Sequence, residues 1–257
     1  MDDSGYYRFP TLHDDTVVFV CEDDLWAVGA TGGQARRLTS GVGQASRPRF
    51  SPDGKQLAFT ATEEGDFDVY VMPSEGGVPQ RISWIGEMAF VQGWSPTGDE
   101  VMVATCFERP FMKTLWMQAI PAQGGSPRAL NLGPARGIAY GAKGQVALCR
   151  HQEDPARWKR YKGGTCGAIW IDKNGEGAFT RLPVEGNLAS PMWIGDRLFF
   201  QSDHEGVGNL YSCLNDGSDL KRHTHSDAFY VRHPSTDGNR IVYHCGAGLF
   251  ISDPKSD

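Results

Sequence analysis

The 257-residue chain has no apolar run near the roughly eighteen residues that cross a bilayer as a helix. Its start, Met1-Asp2-Asp3-Ser4-Gly5, is acidic and lacks the apolar stretch of a secretory leader. No extended 3.6-residue apolar period is present, which argues against a helical protein. Basic charge is also short: 31 acids against 25 lysines and arginines leave a net charge of −6. That balance speaks against nucleic acid, whose phosphates require a basic face. The six cysteines (Cys21, Cys106, Cys149, Cys166, Cys213, Cys245) show no C-x-x-C spacing. They are expected to be reduced, mostly buried thiols in a cytoplasmic protein. Missing too are a G-x-S-x-G elbow, an H-E-x-x-H pair and a phosphate-cradling G-x-x-x-x-G-K-[ST] loop. No catalytic, metal-binding or cofactor-binding residue is therefore expected, and no cofactor.

What the chain does contain is a repeat. An apolar–aromatic step recurs six times, at Leu25-Trp26, Val69-Tyr70, Leu115-Trp116, Ile169-Trp170, Leu210-Tyr211 and Leu249-Phe250. The aromatics are spaced by 44, 46, 54, 41 and 39 residues, and each follows a second apolar run such as Val17–Cys21 or Leu57–Ala61. A period in this range marks propeller blades, which bury both faces only against neighbouring blades. Thirty-two glycines and fifteen prolines suit many short strands and tight turns. Ser51-Pro52-Asp53-Gly54, Ser95-Pro96-Thr97-Gly98 and Ser235-Thr236-Asp237-Gly238 are turn sequences at matching points of the repeat. The expected fold is all-β: one six-bladed β-propeller of four-stranded antiparallel blades, spanning residues 1–257. The blades are expected at about 6–40, 41–84, 85–131, 132–183, 184–225 and 226–257. Fourth strands read as Arg36-Arg37-Leu38-Thr39, Gln80-Arg81-Ile82-Ser83, Thr180-Arg181-Leu182 and Lys221-Arg222-His223-Thr224, with the basic residue suited to an exposed edge. The sixth unit stops after its third strand, so the ring is expected to be open or the chain to continue in a longer protein.

Two groups of residues are candidates for function. Arg47, Arg49, Arg136, Arg232 and His233 fall on first strands, which line the central channel of a propeller. A ring of cations there would attract carboxylates such as peptide C-termini; the alternative is pairing with acids of neighbouring blades. The fourth unit also carries extra length, since Trp170 lies 22 positions after Leu148, against 7 from Phe19 to Trp26. The inserted segment, Arg150 to Gly167, includes Trp158, Lys159 and Tyr161, a possible surface for an anionic or peptidic partner; the alternative is a solvated loop packed back on its blade. Asp203-His204-Glu205 resembles an acid–base group on paper, but adjacent residues in a strand or tight turn point apart. His223 and His225, with His233 and His244, lack carboxylate or cysteine support at ligand spacing and read as ordinary polar histidines.

Longer stretches carry a resemblance to a known family. Asp15-Thr16-Val17-Val18-Phe19-Val20-Cys21-Glu22-Asp23-Asp24-Leu25-Trp26, the segment Leu130–Ala135, the run Trp158-Lys159-Arg160-Tyr161-Lys162-Gly163-Gly164-Thr165-Cys166-Gly167-Ala168-Ile169-Trp170-Ile171, and Asp216–Thr224 resemble the N-terminal six-bladed propeller of the tricorn protease family. The resemblance implies a large cytoplasmic, homo-oligomeric serine peptidase that trims peptides made by the proteasome or similar proteases. In that family the nucleophile and base lie in later domains, so the resemblance implies none here. It implies that this propeller is a non-catalytic channel or gate, with passing peptides and the remaining domains of the peptidase as partners. An archaeal member of that family has, between the second and third blades, a longer loop with two adjacent arginines that reach towards the C-terminus of a bound peptide. Here that stretch is only Ser83-Trp84-Ile85-Gly86-Glu87-Met88 and the pair is absent, so that anchoring role is not implied. The competing reading is a stand-alone TolB-type propeller acting as a protein-interaction scaffold.

Overall fold

The computed structural model describes residues 5–255; the acidic start read above as lacking a leader, apart from Gly5, lies outside them. Apart from one 3-10 turn, Pro155–Arg157, every regular element among these residues is a strand. The strands form six antiparallel meanders, each ordered as in the chain. They fall into two compact units, residues 1–134 and 135–257.

In the first unit the sheets comprise Arg8–His13, Thr16–Cys21, Asp24–Gly29 and Arg36–Arg37; Ser46–Phe50, Gln56–Ala61, Asp68–Pro73 and Gln80–Arg81; and Ala89–Trp94, Glu100–Thr105, Trp116–Pro121 and Arg128–Pro134. In the second they comprise Gly137–Tyr140, Val146–Arg150, Ala168–Asp172 and Phe179–Arg181; Ala189–Ile194, Arg197–Ser202, Asn209–Cys213 and Lys221–Arg222; and a three-stranded sheet of Val231–Thr236, Ile241–Cys245 and Gly248–Ser252.

The middle strands are apolar at nearly every position because both of their faces are covered. In the second sheet Leu57, Phe59, Ala61, Tyr70 and Met72 pack on Val18, Val20 and Leu25 of the first. The alternate residues Ala58, Val69 and Val71 pack on Val91, Val101 and Val103 of the third. The fifth sheet repeats this, with Leu198, Phe200 and Tyr211 facing the fourth and Phe199 and Leu210 facing the sixth. A period of two thus divides each strand between two cores. Of the recurring aromatics, Tyr70 and Tyr211 are wedged between sheets, while Trp26, Trp116 and Trp170 are half-buried. Arg109 covers the Trp116 ring and Arg150 the Trp170 ring, and Phe250 stays exposed against Tyr243. No cysteine is disulfide-bonded; burial pushes the Cys149 and Cys213 thiols up to about 12 and about 11.

Fourth strands of two or three residues cannot complete the ladder with the third strand, and a side-chain clasp takes over. The N–H groups of Leu25, Val69 and Leu210 donate to the hydroxyls of Thr39, Ser83 and Thr224, each at 2.9 Å. Those hydroxyls donate in turn, at 2.8 Å, to the buried side chains of Asp24, Asp68 and Asn209. Arg37 and Arg81 close the clasp on Asp24 and Asp68. The basic residues of these fourth strands therefore reach back to the third strand as well as guarding an edge. In the fifth sheet the acceptor is the neutral Asn209, and Arg222 pairs with Glu205 instead.

A second repeated device lies in the first strands. Phe9, Arg47, Ser190 and His233 take positive φ values of 48°, 54°, 52° and 47°, each at a register shift in its ladder. Each is followed by proline (Pro10, Pro48, Pro191, Pro234), which has no N–H to leave unpaired in a bulge.

Asp68→Ala strands Arg81, the Ser83 hydroxyl and the Ile85 N–H, and should cost about 3 kcal/mol in urea denaturation. Asp68→Asn should cost less, about 1–2 kcal/mol, since its amide oxygen still accepts from Ser83 and Ile85 while its NH2 cannot accept from Arg81, which keeps Glu64; equal losses for the two variants would refute the clasp. At Ser190, glycine should be neutral or stabilising by up to about 1 kcal/mol, whereas valine should cost about 2 kcal/mol. Equal melting temperatures for the two variants would contradict a strained bulge.

Candidate functional site: an inward-tied basic loop

The long connection of the fourth sheet, from Arg150 to Gly167, is built around a carboxylate that turns inward. Asp154 caps the 3-10 turn through a 3.1 Å bond from the Ala156 N–H. Its other oxygen accepts from Nε (2.9 Å) and Nη2 (2.5 Å) of Arg232, 78 residues away on the first strand of the sixth sheet. Nε2 of His233 lies 3.6 Å from the same oxygen, and its Nδ1 is 3.0 Å from Nε2 of His244. The Asp154 side chain is only 3% exposed. A carboxylate this buried is stable only with such partners.

The far end of the loop is tied as well. Asp203 accepts the N–H of Arg160 at 2.6 Å and that of Asn187 at 3.3 Å, and Asn187 accepts the N–H of Gly167 at 2.7 Å. Between the ties, Arg157, Trp158, Lys159, Arg160 and Lys162 are exposed. The Trp158 and Tyr161 rings lie 5.4 Å apart, and Thr165 donates to the Tyr161 hydroxyl at 3.2 Å. Nζ of Lys159 sits 5.4 Å from the Tyr230 ring.

The first-strand cations divide into separate settings. The Arg232 and His233 side chains converge on Asp154. Arg47 is 7% exposed, its guanidinium 5.0 Å from the Phe9 ring and 4.6 Å from the Phe90 ring. Arg49 donates to the carbonyls of Pro48 (3.0 Å) and Gln92 (3.3 Å), and burial pulls its pKa down to about 10. Arg136, at the entry to the fourth sheet, is depressed first by burial and then by the neighbouring charge of Arg157.

The acid–base sequence around His204 has structural duties. Ser202 Oγ lies 2.9 Å from His204 Nδ1 but is fully buried, beyond reach of a substrate. Glu205 accepts from Tyr211 Oη (2.9 Å) and Arg222 Nη1 (2.8 Å). His223 lies 2.7 Å from Ser212 Oγ. Among the described residues no group of three His, Cys, Asp or Glu side chains is arranged to hold a metal ion. Sequence reasoning missed Asp154 altogether; its only local signal is the Asp-Pro step that opens the turn.

The family described as "Tricorn protease N-terminal beta propeller domain" matches residues 4–257. Tricorn protease homolog 1 of Streptomyces coelicolor is 41% identical over 252 residues, 97% of this chain and 24% of that protein. A putative tricorn-like protease N-terminal subunit of Sulfurisphaera tokodaii is 34% identical over 172 residues, 65% of this chain and 86% of that one. The crystal structure of the tricorn protease superposes with a TM-score of 0.90 at 32% identity, over 98% of this chain and 26% of that chain. The chain thus spans about a quarter of the length of its Streptomyces relative. Its six meanders are the blades of a six-bladed β-propeller whose sixth blade has three strands. The chain belongs to the tricorn protease family and corresponds to that family's N-terminal propeller domain.

Proposed function

We propose that this chain is the non-catalytic N-terminal propeller of a tricorn-like serine peptidase, acting as one domain over residues 1–257. Its role in this reading is to form a channel or gate, chiefly for product exit, and a scaffold for the remaining peptidase domains. The observation that carries the proposal is coverage: the N-terminal propeller family spans nearly the whole chain, which equals only a quarter of a full-length relative. The relative described as a separate N-terminal subunit supports remaining peptidase domains as partners. The parent enzyme would be a cytoplasmic homo-oligomer degrading oligopeptides downstream of the proteasome or similar proteases.

Within this reading Arg47, Arg49, Arg136, Arg232 and His233 are the channel candidates, and their settings differ in what they offer a peptide. Arg232 is already committed to Asp154, so it would serve by shaping the wall. Trp158, Lys159 and Tyr161 are the candidate partner contacts, presented outward on the tied loop.

The test is hydrolysis of aminoacyl- and peptidyl-coumarins by this chain beside the full-length product of its gene. Turnover by the longer protein alone is the expected result. Turnover by the 257-residue chain would overturn the non-catalytic reading. An inert chain with no longer product would favour the interaction scaffold.

A further inference from the structure

The loop that Asp154 anchors has an unusual charge arrangement. Several arginines elsewhere in the protein are matched to carboxylates: Arg36 with Glu75, Arg81 with Asp68 and Glu64, Arg128 with Glu100, Arg197 with Asp219, Arg222 with Glu205. Among the described residues, Arg157, Lys159, Arg160 and Lys162 form no ion pair with any carboxylate. Two acids that hold this loop, Asp154 and Asp203, are themselves engaged from within. Asp154 is held by Arg232, and the Asp203 carboxylate is bound by the backbone of Arg160 and Asn187 rather than by a cationic side chain. The loop therefore turns Asp154 inward and the bases of residues 157–162 outward.

The same exposed stretch carries an aromatic face. Trp158 is 61% exposed, although its ring is held against Tyr161, whose hydroxyl is fixed by Thr165. Exposing so large an indole beside four cations, on a backbone fixed at both ends, is how a surface is pre-arranged for a ligand with acidic and apolar groups. The lowered pKa of Arg136, partly caused by Arg157, agrees with a local excess of positive charge.

We propose that residues 157–162 form a docking surface for an acidic, extended polypeptide segment supplied by a separate molecule. Side-chain carboxylates pair with Arg157, Lys159, Arg160 and Lys162, and an apolar side chain packs on Trp158 and Tyr161. A peptide is favoured over a nucleic acid because the chain as a whole carries a net charge of −6. A small basic patch on an acidic protein suits a short run of carboxylates, whereas a phosphate polyanion needs a broad basic field. This goes beyond the channel reading and stands without it, since binding at this loop requires neither passage nor hydrolysis.

The test is fluorescence anisotropy on the 257-residue chain. The probe is a fluorescein-labelled octapeptide of glutamates interspersed with phenylalanine, acetylated and amidated so that only side-chain carboxylates are read. The controls are the lysine counterpart and a labelled oligonucleotide of matching charge. The acidic peptide should bind, weakening as salt is raised from about 0.05 to about 0.5 M. The triple variant Lys159→Gln, Arg160→Gln, Lys162→Gln should weaken binding about tenfold or more with an unchanged melting temperature. Trp158→Ala should weaken it severalfold. The pair Lys159→Arg, Lys162→Arg, which keeps the charge, should bind as the original does. Absent binding, binding untouched by the triple variant, or tighter binding of the oligonucleotide would each overturn the proposal.

Discussion

A strand two residues long cannot satisfy the strand beside it, and much of this protein's polar chemistry answers that shortage. At the mouth of the third strand a buried N–H would be left without a carbonyl partner, at a cost comparable to a lost hydrogen bond. In the first, second and fifth blades a hydroxyl just beyond the fourth strand accepts it, and a buried Asp or Asn fixes that hydroxyl. Where the acceptor is Asp24 or Asp68, an arginine is required to balance it; where it is Asn209, the arginine is released to another acid. The outer edge of each of these blades is thus determined by one buried polar atom. In the fourth blade a different tie is made just ahead of the third strand, where Asn187 accepts the Gly167 N–H.

The same rule, that a buried charge must be met, explains the long loop of the fourth blade. Asp154 is carried inward to Arg232, and the backbone around it is drawn into a fixed path. With its acid consumed, the segment from Arg157 to Lys162 faces solvent carrying only positive charge.

Much of the fold was legible in the sequence because it rests on local patterns: two-residue alternation, an aromatic once per blade, and serine–proline turns. The Trp158–Ile171 run was legible as a family signature, and the inserted segment Arg150–Gly167 that overlaps it as a long loop. The parts that were not legible depend on partners far apart in the chain. Nothing near Asp154 reveals Arg232, 78 residues on. The clasp hid behind a simpler reading, since a basic residue on an outer strand already makes sense as edge protection. The bulges hid behind proline: the sequence places Arg47-Pro48 and His233-Pro234 on first strands but gives no sign of the positive φ at Arg47 and His233. Arg47 is stacked between Phe9 and Phe90, and His233 turns towards Asp154 and His244.

One buried carboxylate, Asp154, holds the loop so that the cations of residues 157–162 face outward. Amide hydrogen exchange on Asp154→Asn beside the unaltered protein tests it most directly, because the variant keeps the side chain's size and removes its charge. The account predicts faster exchange across residues 155–167, including the Arg160 and Gly167 amides, with the strands of residues 8–134 unchanged. Equal protection of the loop in both proteins would contradict it.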